Sequence, residues 1–129
     1  MTSVDPYPGS SREAGAVPEF VPAMLRTDPC SFDIAAARQR LSERGGYEIV
    51  LESPGLEVGV YVLVAPEPDH QQPHVDDEVY VVLDGSGVLE IEDRSIEVHE
   101  GIAAFVPAGA DHRFTSYEHL VVLVIFSRR

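Results

Sequence analysis

From Gly46 onward, short runs of β-forming residues alternate with clusters of turn-forming ones: Ser53-Pro54-Gly55, Pro66-Glu67-Pro68-Asp69, Asp84-Gly85-Ser86-Gly87, Glu92-Asp93-Arg94 and His99-Glu100-Gly101. This punctuation constrains the fold more than any other feature. The runs at 47–52, 57–64, 72–75, 78–83, 87–92, 95–99, 102–106, 111–116 and 119–126 read as strands. No stretch between them is long enough for a crossover helix, which excludes a parallel α/β sheet. Many short strands at this spacing imply an antiparallel sandwich or barrel. The runs at 79–83 and 120–126 are apolar at consecutive positions, whereas an antiparallel sheet normally turns one face to water. A second sheet or a second subunit covering the outer face is expected, and with it a homodimer.

Upstream, residues 1–28 are rich in Pro, Gly and Ser and read as a flexible arm, with Phe20, Val21, Met24 and Leu25 packing where it reaches the domain. Residues 29–129 form the single domain. Ser31 is placed to cap a helix through Ile34, Ala37 and Leu41. Arg38, Arg40 and Arg44 lie near its C-terminus, and Gly45-Gly46 ends it. Its apolar stripe is narrow, enough to dock on a sheet.

The charge balance removes several functions. With 22 acidic residues against 9 basic ones, the formal charge is −13, which repels nucleic acid and anionic membrane surfaces. All the basic residues are arginine, so neither Schiff-base chemistry on a lysine nor a phosphate-loop lysine is available. The single Cys30 cannot form an internal disulfide. No signal-peptide pattern and no membrane-length apolar run is visible, so a soluble cytoplasmic protein is expected.

Two segments carry the chemistry. The first is His70-Gln71-Gln72-Pro73-His74-Val75-Asp76-Asp77-Glu78, followed by Gly85. The second runs from Gly101 through Pro107 and Gly109 to Asp111-His112. Side chains two apart on a strand share a face. With His74 inward, Gln72 is inward too. Glu78 then opens the next strand together with Tyr80 and Val82, and His112 points inward with Phe114 and Ser116. The result is a site of Gln72, His74, Glu78 and His112 walled by Tyr80, Phe114 and aliphatic groups. Two imidazoles and a carboxylate on a rigid sheet suit a divalent metal with open positions: Fe, Zn, Mn, Ni or Co. His70 belongs at the pocket mouth or in solvent. Arg113 should point outward. Asp76-Asp77 reads as turn chemistry, and His99 and His119 as solvated.

The two segments resemble the two motifs of the cupin superfamily, G-x5-H-x-H-x3,4-E-x6-G and G-x5-P-x-G-x2-H-x3-N. Gln72 stands in the place of the first His and Ser116 in that of the closing Asn. The likeness covers roughly residues 46–127. It implies a small antiparallel jelly-roll barrel with one metal inside. By the same likeness His74, Glu78 and His112 take the places of the family's ligands, and Gln72 that of a neutral one. Phosphomannose isomerases are similar in having a Q-x-H pair whose Gln oxygen ligates zinc.

The expected function is metal-dependent chemistry on a small organic molecule, with Glu78 and Tyr80 as catalytic candidates and His70, Tyr80, Val82, Phe114 and Ser116 lining the substrate pocket. Dioxygenase or oxidoreductase chemistry requires a redox-active metal. Isomerase or lyase chemistry runs on zinc, with Glu78 doubling as a base. The alternatives are a non-enzymatic small-molecule binding module and a metal-free structural barrel, because the fold hosts many chemistries.

Overall fold

The computed structural model describes residues 16–128. One helix, α1 (Ile34–Leu41), precedes eight strands: β1 (Gly46–Glu52), β2 (Leu56–Val64), β3 (Glu78–Asp84), β4 (Ser86–Ile91), β5 (Arg94–His99), β6 (Ala103–Val106), β7 (His112–Thr115) and β8 (His119–Ser127). They form two antiparallel sheets, ordered β1-β2-β8-β3-β6 and β5-β4-β7. The sheets face each other in jelly-roll fashion without closing into a continuous barrel. Between them lies the main core, which includes Leu63, Tyr80, Val82, Leu89, Val106, Phe114, Leu120 and Val122.

The expected strand at 72–75 is absent, and residues 65–77 are irregular. Pro66, Pro68 and Pro73 each remove a backbone donor, which a ladder in this stretch would need. The edge that such a strand could have used is occupied by a side chain: the Phe114 N–H of edge strand β7 donates to the Asp69 carboxylate at 2.8 Å.

The doubly apolar runs are covered on one side by the main core and, in part, on the other by the helix. Part of the outer face of the large sheet is covered by α1, which packs mainly on β1 and β2. Ala37, fully buried, packs with Val60, Val62 and Val121, and Ile34, Leu41, Leu83 and Leu123 border the contact. Val79, Val81 and Ile125 lie beyond this cluster and are half-buried, and Phe105 on β6 is exposed, so the helix accounts for only part of the second apolar face. The helix starts two residues later than expected: Asp33, not Ser31, is the cap, its carboxylate accepting from Ala36 N–H at 3.0 Å.

Of the expected arm, residues 1–15 lie outside the described residues. Residues 16–28 run beside α1 and β1. Leu25 forms a parallel bridge with Glu52, and Arg26 N–H donates to the Glu52 carbonyl at 2.7 Å. The side chains of Phe20, Val21, Met24 and Leu25 remain exposed. Among the described residues no helix is long and apolar enough to cross a membrane.

Candidate metal centre

Strand alternation places two of the three central residues. Glu78, Tyr80 and Val82 on β3 all face the interior, and on β7 His112 and Phe114 do the same. His74 arrives differently, on the irregular segment. Its carbonyl accepts from Gly109 N–H at 2.7 Å, so the turn of the second motif holds the backbone of the first. That turn follows from Pro107 and from the left-handed Gly109 (φ 82°).

One donor atom each from His74, Glu78 and His112 lies within 4.8 Å of the others. His74 Nε2, both Glu78 carboxylate oxygens and His112 Nε2 are buried without a hydrogen-bond partner. His112 Nε2 sits 3.2 Å from Glu78 Oε1, a close pair without hydrogen-bonding alignment. Burying an unpaired carboxylate is costly, so four such atoms in one place call for a cation. Two imidazole nitrogens and a carboxylate are a suitable set for a divalent transition metal or zinc.

The tautomer of His112 is fixed by its other nitrogen. Nδ1 lies 2.9 Å from the Ala110 carbonyl, and a carbonyl only accepts, so Nδ1 carries a proton. The Nε2 lone pair is thereby directed at the cluster. Burial by itself pushes the His112 imidazole down. The adjacent Glu78 carboxylate and the bond to the Ala110 carbonyl overcome it, and the net shift is upward.

The cluster opens on a cavity of about 930 Å3. Tyr47, Tyr61, Val124 and Phe126 supply aromatic and aliphatic wall. His70, Gln71, Glu57, Asp76 and Arg128 supply polar edges. The Phe126 ring stands edge-on to His74 with centroids 4.8 Å apart. Arg128, the one guanidinium at the cavity among the described residues, is already held by Glu52 and Glu57 at 2.8 Å each.

The structure brings together His74, Glu78 and His112 as the sequence suggests. Gln72 is not with them: it is exposed and does not line the cavity. Its inward placement depended on a strand that does not form. The neighbouring Gln71 faces the cavity instead. His70 sits at the cavity edge beside Glu67, as expected. Tyr80, Val82 and Phe114 are core residues behind the site rather than cavity wall. Ser116 is exposed, in a left-handed conformation (φ 58°) one residue beyond the end of β7.

Sequence reasoning missed Asp69, Gln71, Tyr47, Tyr61, Val124 and Phe126. The last two were findable, because β8 alternation puts them on one face and Phe126 pairs with Glu78 in the ladder. Asp69 and Gln71 belong to an irregular segment with no period to read.

The cupin domain family model matches residues 60–126, just over half of the chain. An uncharacterised protein of Streptomyces coelicolor is 38% identical over 90 residues, covering 69% of this chain and 86% of that protein. Acireductone dioxygenase 1 of Physcomitrium patens is 35% identical over 99 residues, 71% of this chain and 51% of its own length. The chain spans only 25% to 51% of the acireductone dioxygenases it matches. Among solved structures, TT1209 from Thermus thermophilus superposes with a TM-score of 0.57 at 30% identity, covering 70% of this chain and 93% of that one. The matched residues contain both motifs and all three buried donors, and the chain belongs to the cupin family.

Proposed function

We propose that this chain is a mononuclear metal-dependent cupin enzyme acting on a small organic molecule, with His74, Glu78 and His112 holding one divalent ion. The supporting observation is the convergence of four buried, unpartnered polar atoms from these three residues at the wall of an open cavity. When bound, such an ion supplies Lewis acidity to substrate oxygens, or redox chemistry with dioxygen where the metal is redox-active. Three protein donors leave coordination positions free for a substrate.

The chain's own residues provide the remainder. Ala110 fixes the His112 tautomer. Phe126 and Val124 keep the side of the cluster dry, and Tyr47 and Tyr61 offer flat faces to an organic group. With Arg128 neutralised by Glu52 and Glu57, no arginine among the described residues is free at the cavity to clamp a phosphate. A phosphorylated substrate is therefore disfavoured, despite the Gln72 parallel with phosphomannose isomerases. Tyr80 is 1% exposed and reaches the cavity only through Gln71, so it is not placed to touch substrate directly. Of the reactions open to such a centre, dioxygen chemistry has the support of the segmental likeness to acireductone dioxygenases; isomerase or lyase chemistry is the alternative.

Metal analysis of untagged protein beside a His74→Ala/His112→Ala variant tests this reading. The expected result is near one metal per chain, lost in the variant, with oxygen uptake when an acireductone is supplied. Bound metal without oxygen uptake shifts the choice to isomerase, lyase or binding roles. No metal after reconstitution with iron, manganese, nickel, cobalt and zinc overturns it.

A further inference from the structure

Asp69 is 8% exposed, and its carboxylate accepts four hydrogen bonds. Oδ1 takes the Tyr61 hydroxyl of β2 at 2.5 Å and the Gln71 N–H at 3.3 Å. Oδ2 takes the Gln71 carboxamide N–H at 2.7 Å and the Phe114 N–H of β7 at 2.8 Å. A carboxylate so satisfied tolerates burial, and each of these bonds has a charged acceptor, the stronger kind. The Tyr61 phenol is pushed up by burial first and by Asp69 second, so it stays protonated and donates.

The consequence for Gln71 is geometric. Only its NH2 group can donate to Asp69, so its oxygen must face the other way, where the Tyr80 hydroxyl donates to it at 2.7 Å. The amide orientation follows from the donor inventory.

We propose that Asp69 is the positioning residue of the metal centre, because this one carboxylate reaches the neighbours of all three donors. Through its own backbone it ties down the ladderless segment that carries His74. Through Phe114 it grips β7 two residues from His112. Through Gln71 it holds Tyr80, two residues from Glu78 on β3. Residues 65–77 need such an anchor. Pro66, Pro68 and Pro73 deny the segment regular pairing, and at its far end the other ties are Gly109 N–H to the His74 carbonyl, Ala108 N–H to the Asp77 carboxylate at 2.9 Å and Ser127 N–H to the Asp77 carbonyl at 3.1 Å. Groups that hold metal ligands from outside typically alter affinity by about 10–100-fold when removed.

This inference rests on the metal-site reading above, and its test separates the two. Zinc affinity and backbone hydrogen exchange are measured on the full chain for the native protein, Asp69→Asn and Tyr61→Phe. Asp69→Asn keeps the shape but sets an NH2 group against a donor. Tyr61→Phe removes a single donor and serves if the first variant does not fold. The expected result is zinc affinity weakened about tenfold in Asp69→Asn, with amide exchange accelerated at 70–76 while β2, β3 and β8 keep native rates. Native zinc affinity in a folded Asp69→Asn overturns the inference. So does an acceleration spread evenly over all strands, which marks plain destabilisation. If the native protein binds no zinc or other metal, the metal-site reading fails. The exchange pattern alone then decides: acceleration confined to 70–76 keeps Asp69 as the anchor of that segment, and unchanged rates there overturn it.

Discussion

His112 donates its Nδ1 proton to the Ala110 carbonyl at 2.9 Å, and this bond decides what the other ring nitrogen can do. Nε2 is left facing Glu78 at 3.2 Å, either as a metal-directed lone pair or, without a metal, as a second protonated nitrogen beside a carboxylate.

A pH dependence of opposite sign in the two states follows. Without metal the His112 pKa is raised above its ordinary 6.5. Its contribution to stability is fully present below the unfolded value and is lost as pH climbs through the raised folded value. The melting temperature of metal-free protein should therefore fall, from this group, over the interval that begins near pH 6.5 and runs up through the raised folded value. A metal competes with that same proton, so the zinc-induced rise in melting temperature should grow over the interval. Thermal melts with and without zinc at several pH values check both signs. A zinc increment independent of pH contradicts the assignment of His112 as a ligand.

Two motif glycines should differ in what they tolerate. Gly85 (φ 87°) ends β3, and an added Cβ there would overlap the His119 carbonyl of β8, which is backbone and cannot step aside. Gly101 (φ 92°) faces open space. Gly101→Ala should cost about 1 kcal/mol, the strain of the left-handed backbone. Gly85→Ala should cost at least 1–2 kcal/mol more, roughly the penalty of overpacking. Urea denaturation of the two variants compares them; equal losses would show that β8 can shift to make room.

The two ion pairs of α1 should also differ. Arg40, 16% exposed, holds the 8%-exposed Glu48 through Nε at 3.0 Å and a terminal nitrogen at 2.5 Å, and lies over the Phe20 ring. Removing it strands a buried carboxylate, so Arg40→Ala should cost about 3 kcal/mol. Arg38 pairs with Asp84 where the side chains are 39% and 51% exposed, so Arg38→Ala should cost no more than about 1 kcal/mol. Arg40→Ala should also release residues 16–28, whose Glu19 carbonyl Arg40 binds at 2.9 Å; faster proteolysis there is the check.

The fold was legible because its evidence is periodic. Strand alternation predicts that Glu78, Tyr80 and Val82 share a face, and the same argument aligns His112 with Phe114. Turn residues predict the breaks between strands. What period cannot reach is the irregular segment. Gln72 was placed inward by a parity that has no meaning without a strand, and one position earlier Gln71 took the cavity. Asp69 looked like one more residue of a turn, because a carboxylate that replaces a strand at a sheet edge leaves no local signature. The outer apolar face suggested a second sheet or a partner subunit; α1 covers part of it, and Ala37 fits there because its small side chain lets the helix approach closely.

A sharper separation of function from stability lies in Glu78. Its carboxylate is 2% exposed and accepts no hydrogen bond, so in the metal-free protein it is a burden more than a support. Replacing a buried charge by an apolar group of similar volume is often neutral or stabilising, provided its neighbour need not stay charged. His112 meets that condition. Without Glu78 its main upward influence is gone, burial favours the neutral ring, and Ala110 still holds Nδ1–H. Glu78→Met should therefore leave the metal-free protein as stable as the native one, or about 1 kcal/mol more so. The zinc-dependent rise in melting temperature should vanish. Denaturant curves on metal-free protein and melts with zinc read the two effects separately. A loss of several kcal/mol without metal would instead make the Glu78–His112 pair a structural element of the core, and a retained zinc shift would remove Glu78 from the ligand set.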